Sequence, residues 1–475
     1  MVNKNACIYC AIVLSLMFCS CFRLSEQRLV RPEAITGRPL HYQIPQPERV
    51  VLDNGMVLYL LEDHEIPLIE VTTLIRTGSV YDPPDRAGLA AITGEVMRTG
   101  GTSAMTPQAL DEKLAFMDAI ITVSMESESG NASLSVLKKE FDPAFDIFSQ
   151  ILLHPIFASD RITIAKEQKI SALRQTDDNP QNLAFRKFKK LLYKNNPRGN
   201  LPTIGAIKAI SREDLITFHK TFLSPDRIIL GVSGDFSTPE MIDKIKQKFA
   251  GWKPSSQVLP SIPNPQDTAA QPVFYLQKNV PQTTIILGHL APAKTSPDLY
   301  AFEVLNYMLG GGGFSSRLTS EIRSNRGLAY SVGSFYRPDA DYGVFGAYCM
   351  TKSSTTHKAL SLMIDIINKM KDTTLNGDLE QAKESLINSF VFSYSSSAQI
   401  ISQQMLREYE HLPPDFIEQF PVRIKAVTLK DLQRVAGSYL HPSTSVILVV
   451  GDTKSFDVPL NKWGPIQEVF SELQN

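Results

Sequence analysis

Short stretches of this chain alternate apolar and polar residues with a period of two, and the stretches between them carry a helical period. Residues 56–61 (Met-Val-Leu-Tyr-Leu-Leu) and 68–75 (Leu-Ile-Glu-Val-Thr-Thr-Leu-Ile) are rich in strand formers, and residues 120–125 and 132–136 predict a strand pair joined by a Gly130-Asn131 turn. Residues 106–116 predict a helix, with Thr106 as N-cap, Pro107 in the first helical position and apolar residues three and four apart. The fold class expected is α+β, in two duplicated halves, each a mainly antiparallel sheet with helices packed on one face.

The duplication is visible in the residues themselves. Ala209-Ile-Ser-Arg-Glu-Asp-Leu215, Phe222-Leu-Ser-Pro225 and Ile228-Ile-Leu-Gly-Val-Ser-Gly-Asp235 return as Ala426-Val-Thr-Leu-Lys-Asp-Leu432, Tyr439-Leu-His-Pro442 and Ser445-Val-Ile-Leu-Val-Val-Gly-Asp452, each displaced by 217 positions. That spacing is domain-sized, far above the 20–50 residues of a solenoid repeat. Residues 253–272 contain five prolines and suit an extended tether. The expected organisation is a signal over 1–21, a linker over 22–45, a first domain over 46–252, the Pro-rich linker 253–272 and a second domain over 273–475.

Composition narrows the function. A chain of 475 residues with 43% hydrophobic and 20% charged residues is globular and long enough for two cores. Its formal net charge of −1 gives no electrostatic reason to bind nucleic acid. A short positive start at Lys4 and an apolar run over 6–18 have signal-peptide length and predict export, to the periplasm or the envelope membrane of a bacterium. Four of the five cysteines (Cys7, Cys10, Cys19, Cys21) lie in this segment, so Cys349 has no disulfide partner in the body of the chain. Ser20-Cys21 suits a lipoprotein cleavage site, although Phe18 departs from the usual aliphatic residue; a single uncleaved anchor is the alternative.

The candidate chemistry rests on a resemblance. Leu52-Asp-Asn-Gly-Met56, Glu62-Asp-His-Glu-Ile-Pro67 and Gly78-Ser-Val-Tyr-Asp-Pro-Pro-Asp-Arg-Ala-Gly-Leu89 are similar to the N-terminal half of the pitrilysin, insulinase and mitochondrial processing peptidase family of zinc peptidases. In that family the next residues are His-x-x-Glu-His, two metal ligands around a general base. Here they read Ala91, Ile92, Thr93, Gly94 and Glu95. The family's third ligand, a Glu on a later helix, falls at Ser171 or Ala172. A catalytic zinc needs three protein ligands and an open position, and neither Ala91 nor Gly94 has a donor atom. The eight histidines are scattered, no two within a helical turn, and supply no replacement. The resemblance therefore implies the peptidase fold with no metal of its own.

The second half keeps a different feature. Leu309-Gly-Gly-Gly-Gly-Phe-Ser-Ser-Arg-Leu318 leads into Glu321-Ile-Arg-Ser-Asn-Arg-Gly-Leu-Ala-Tyr-Ser-Val332, similar to the family's Arg-x-x-x-x-x-x-Tyr element. By that resemblance Arg323 and Tyr330 reach a substrate held at a zinc, where guanidinium and phenol can donate to an oxyanion or to the peptide backbone. The competing reading pairs Arg323 with an acid such as Asp339 and lets Tyr330 fill a sheet face. Gly310, Gly311, Gly312 and Gly313 are not a nucleotide loop, because no Gly-Lys-Ser/Thr follows; they are expected to form a mobile substrate-binding loop.

The resemblance spans residues 45–452. It implies a non-catalytic subunit that acts on a peptide beside a zinc-bearing homologous partner, with a possible N-terminal lipid or membrane anchor. The alternatives are a structural or assembly protein of the same fold and an independent peptidase.

Overall fold

The computed structural model describes residues 44–266, 272–371 and 378–471. The signal, Cys21 and all of the first linker but residues 44 and 45 lie outside them, and no described helix is long and apolar enough to cross a membrane.

Each half contains one six-stranded mixed sheet. The first is built from β1 (Glu48–Val51), β2 (Val57–Glu62), β3 (Leu68–Ile75), β4 (Ile120–Met125), β5 (Gly130–Leu137) and β6 (Ile228–Gly234), in the order β1-β2-β6-β3-β5-β4. Only the β2/β6 pair is parallel. The helices of this half are α1 (Leu89–Thr99), α2 (Pro107–Phe116), α3 (Phe141–Leu153), α4 (Ser159–Asp178), α5 (Pro180–Tyr193), α6 (Ile204–Ala209), α7 (Arg212–Phe222) and α8 (Thr238–Phe249). The second sheet, β12-β7-β11-β8-β10-β9, takes β7 (Val273–Gln277), β8 (Gln282–Ala291), β9 (Ala329–Pro338), β10 (Gly343–Lys352), β11 (Val446–Gly451) and β12 (Ile466–Glu468). With it come α9 (Leu299–Asn306), α10 (Thr356–Lys369), α11 (Leu379–Phe390), α12 (Ser397–Tyr409), α13 (Phe416–Ala426) and α14 (Leu429–Tyr439).

Local chemistry accounts for many boundaries. Strand β3 alternates half-buried and buried residues along its whole length, as a strand with one face on the main core should. Thr106 caps α2, its Oγ1 accepting from Ala109 N at 3.3 Å, with Pro107 at the first position. The duplicated segments start with the same capping box, Ser211 with Asp214 on α7 and Thr428 with Asp431 on α14. One expectation moves. The β4/β5 turn lies at 126–129, closed by Glu126 N donating to Ser129 O at 2.8 Å, and Gly130 and Asn131 are already in β5. Four polar residues in a row make that turn, while Gly130 sits where the Met125 side chain leaves no room for a Cβ.

The halves exchange helices. Helix α5, from the first half, lies on β8 and β11 of the second sheet, burying Leu183, Phe188 and Leu192 against Ile286, Leu448 and Val450. Its repeat counterpart α12 lies on β6, β2 and β3 of the first sheet, with Ile401 and Met405 against Tyr59 and Ile229. A Cβ on Gly231 would stand 2.2 Å from Ile401, so this glycine in β6 sets how closely α12 can approach. The central strands β6 and β11 are consequently buried on both faces, which explains their continuous apolar runs.

Polar groups fasten the exchange. Arg49 grips Glu408 with two hydrogen bonds of 2.6 and 2.8 Å, and Arg76 stacks over Tyr409 at 4.6 Å while donating to its carbonyl at 2.9 Å. At the β4/β5 turn, Glu128 accepts two bonds of 2.7 Å from Arg198 and one of 2.9 Å from the Tyr342 hydroxyl of the second half. The Pro-rich linker has no regular structure over 253–266, yet it is pinned to the first half: Arg198 and Asn196 donate to Pro263 O at 2.8 and 2.7 Å.

Candidate functional site

Helix α1 carries the degenerate motif and packs on β4, α4 and α7. Its start is held by Asp82, whose buried carboxylate accepts from Gly88 N at 2.8 Å and Ala90 N at 2.9 Å. Burial outweighs those two donors and pushes the Asp82 carboxyl up to about 7. In the sequence Asp82 carries the capping signal of an Asp shortly before a helix, and its role becomes visible only with the two hydrogen bonds.

Gly94 stands where the general base belongs. A Cβ there would meet Met125 Cγ at 3.0 Å, Met125 N at 3.2 Å and Ser124 C at 3.3 Å, so strand β4 occupies the space a longer side chain would need. Ala91 is half-buried, and Ser171 and Ala172 lie on an exposed stretch of α4. Burial raises the pKa of Glu95, against the pull of Lys169, a cation one helical turn before Ala172. The site is thus left with one carboxylate and one ammonium, and among the described residues no three His, Cys, Asp or Glu side chains converge to hold a metal ion. A family zinc does not fit here. His64, between Asp235 at 2.6 Å and Glu62 at 3.2 Å, belongs to an exposed ion-pair cluster with Lys138.

The structure does bring Arg323 and Tyr330 together. The guanidinium carbon lies 4.5 Å from the Tyr330 ring centre and 4.6 Å from that of Phe314, so the cation is held between two aromatic faces. Tyr330 is 80% exposed and Phe314 69% exposed, so Tyr330 fills no sheet face. Arg323 makes no ion pair among the described residues, and Asp339 lies at the far end of β9 beside Tyr342. Nothing in the main packing of α1 joins it to this cluster, whose segment 319–325 packs on β9 and α10. In the sequence Phe314 shows only as an aromatic directly after a glycine run, which does not reveal its contact with Arg323.

The four glycines do not form one continuous loop. Gly310 and Gly311 continue the helical path of α9 as a wider turn over Tyr307–Gly311, and a Cβ on Gly310 would stand 2.3 Å from Ser334 N of β9. Gly310 therefore serves close helix–strand packing. Gly313, at φ +64° and with open space around it, is the residue that turns the chain so that Phe314 projects outward.

Comparison with known proteins agrees with this two-half architecture. Residues 59–204 match the family described as insulinase (peptidase family M16), and residues 209–386 match the peptidase M16 inactive domain. The chain belongs to peptidase family M16. An uncharacterized zinc protease of Rickettsia felis is 26% identical over 420 residues, 85% of this chain and 98% of that protein. The mitochondrial-processing peptidase subunit beta of Dictyostelium discoideum is 22% identical over 427 residues, 87% of this chain and 90% of the relative. Among solved structures, a peptidase M16 inactive domain from Pseudomonas fluorescens shares the fold with a TM-score of 0.80 at 24% identity, covering 87% of this chain and all of that one.

Proposed function

We propose that this chain is the non-catalytic subunit of a heteromeric zinc peptidase, closing a substrate chamber against a zinc-bearing homologue and presenting Arg323 and Tyr330 to the peptide bound there. The observation that carries it is the contrast between the two motifs. On α1 Ala91 and Gly94 have no donor atom, Glu95 alone keeps a carboxylate, and β4 fills the place of the base. The Arg323 cluster, by comparison, keeps an exposed phenol beside a cation that has no acid paired with it among the described residues. Stacking between Phe314 and Tyr330 fixes the plane of the guanidinium and leaves its N–H edge available to an oxyanion or a peptide carbonyl. The family relationship to processing-peptidase subunits supports a peptide as the substrate class. The apolar run at 6–18 and Cys21 support delivery to a cell envelope, which labelling with a radioactive fatty acid would test through Cys21→Ser.

The experiment is reconstitution with the zinc-bearing homologue from the same cell. Peptide hydrolysis should rise on mixing, and Arg323→Ala or Tyr330→Phe should lower the rate per assembled complex by about 10²–10³ if the lost group donates to the oxyanion. A structural or assembly role predicts unchanged turnover in both variants at saturating partner, and that result would sink the proposal.

A further inference from the structure

A second site lies where the halves meet, away from Arg323 and independent of the reading above. Helix α5, the β4/β5 turn and the β9/β10 hairpin enclose a cleft of about 620 Å³, within the usual range for small-ligand sites. Its floor is apolar and drawn from both halves: Phe185, Phe188 and Leu192 of α5 face Phe335, Tyr342 and Val344. Phe185 and Phe335 have their ring centres 6.0 Å apart, and Tyr193 meets Tyr342 edge-on at 6.1 Å.

The charges around this floor are unevenly satisfied. Glu128 is fully engaged by Arg198 and Tyr342. Lys189, half-buried in the wall, has no hydrogen bond or ion pair among the described residues, and Arg337 lies over the Phe335 ring at 5.2 Å with no acid of its own. Burial disfavours the Lys189 ammonium, with Arg186 and Arg337 adding to the effect and Glu128 and Glu126 opposing it. Glu126, on the same cleft, likewise has no ion-pair partner among the described residues. Three acids share the cleft, Glu126, Glu128 and Asp339, and Glu126 and Glu128 are near enough to favour the Lys189 ammonium, yet among the described residues neither Lys189 nor Arg337 is in ion-pair contact with any of them and the Glu126 carboxylate accepts no hydrogen bond.

We propose that this inter-half cleft binds a short apolar peptide by its free C-terminal carboxylate, with Lys189 and Arg337 receiving the carboxylate, the aromatic floor receiving the side chains and Glu126 accepting from a peptide N–H. A fatty acid offers the same carboxylate and apolar body but nothing for Glu126, which favours the peptide.

Calorimetry on the purified full chain tests this with N-acetyl-Ala-Leu-Phe as the free acid, the same tripeptide as its C-terminal amide, and decanoate. The free acid should bind, the amide about ten- to a hundredfold more weakly, because a hydrogen bond to a charged group is lost. Lys189→Ala should weaken the acid by a similar factor at an unchanged melting temperature without ligand, and Lys189→Arg should recover most of it. Equal affinity for acid and amide, no binding of the acid at millimolar concentration, or full affinity in Lys189→Ala would each overturn the proposal. Binding of decanoate through Lys189 without binding of the peptide acid would overturn the choice of peptide. Reconstituted hydrolysis with Arg323→Ala reads out the other site, so the two readings fail separately.

Discussion

At the scale of single residues, the two motifs differ in what surrounds them more than in what they have lost. Gly94 is closed in by backbone atoms of β4, so rebuilding the family motif is not a matter of restoring three letters. Gly94→Glu should destabilise the chain by about 1–3 kcal/mol in chemical denaturation, the usual range for overpacking. Met125→Ala should relieve only part of it, because Met125 N and Ser124 C stay in place. A triple variant Ala91→His, Gly94→Glu, Glu95→His with unchanged stability would show that β4 yields. Asp82 offers a pH test. Its carboxyl is raised to about 7 in the fold, above the unfolded value, so the folded state holds its proton longer. The stability this group contributes is present at low pH and declines as pH rises from about 4 towards 7. The slope of melting temperature against pH over that window should be shallower in Asp82→Asn than in the parent.

At the scale of elements, the strands, the capped helix α2 and the repeated helix–strand segment could be read directly, because their signals are local: alternation, Thr106-Pro107, and Ser211/Asp214 beside Thr428/Asp431. That Ala91 and Gly94 carry no donor atom is a matter of residue identity, once the family resemblance has placed the motif there. What the sequence could not disclose was long-range. The apolar stripe of α5 says that Leu183, Phe188 and Leu192 are buried, but not that they are buried on the other half's sheet. Nor does any pattern link Phe314 to Arg323, or Met125 to Gly94. The exchange has an energetic consequence that can be measured. Phe188→Ala, at a site 4% exposed, should cost about 3–5 kcal/mol, and Ile401→Ala about 2–5 kcal/mol. If the halves were independent, each variant would lower one of two unfolding transitions; with exchanged helices both should lower a single one.

At the scale of the whole molecule, the described part of the Pro-rich connection, 253–266, is a seam tied to the first half. It is not a free tether. Residues 255, 257 and 263 are held by Asp226, Arg227 and Arg198. Proteolytic nicking within 253–272 should therefore leave both fragments co-eluting on size exclusion, and they should separate only in denaturant. Elution of two folded fragments at half size without denaturant would contradict the exchange.

The crossing of α5 and α12 also bears on how such a chain came to exist. Each half leaves one face of its sheet to the helix of the other copy, so duplication in tandem joins two halves that complete each other. The legacy is a constraint on divergence. A change on α5 finds its compensating position in the other copy, on β8 or β11, so the two repeats are bound to drift as a couple even where their sequences no longer look alike.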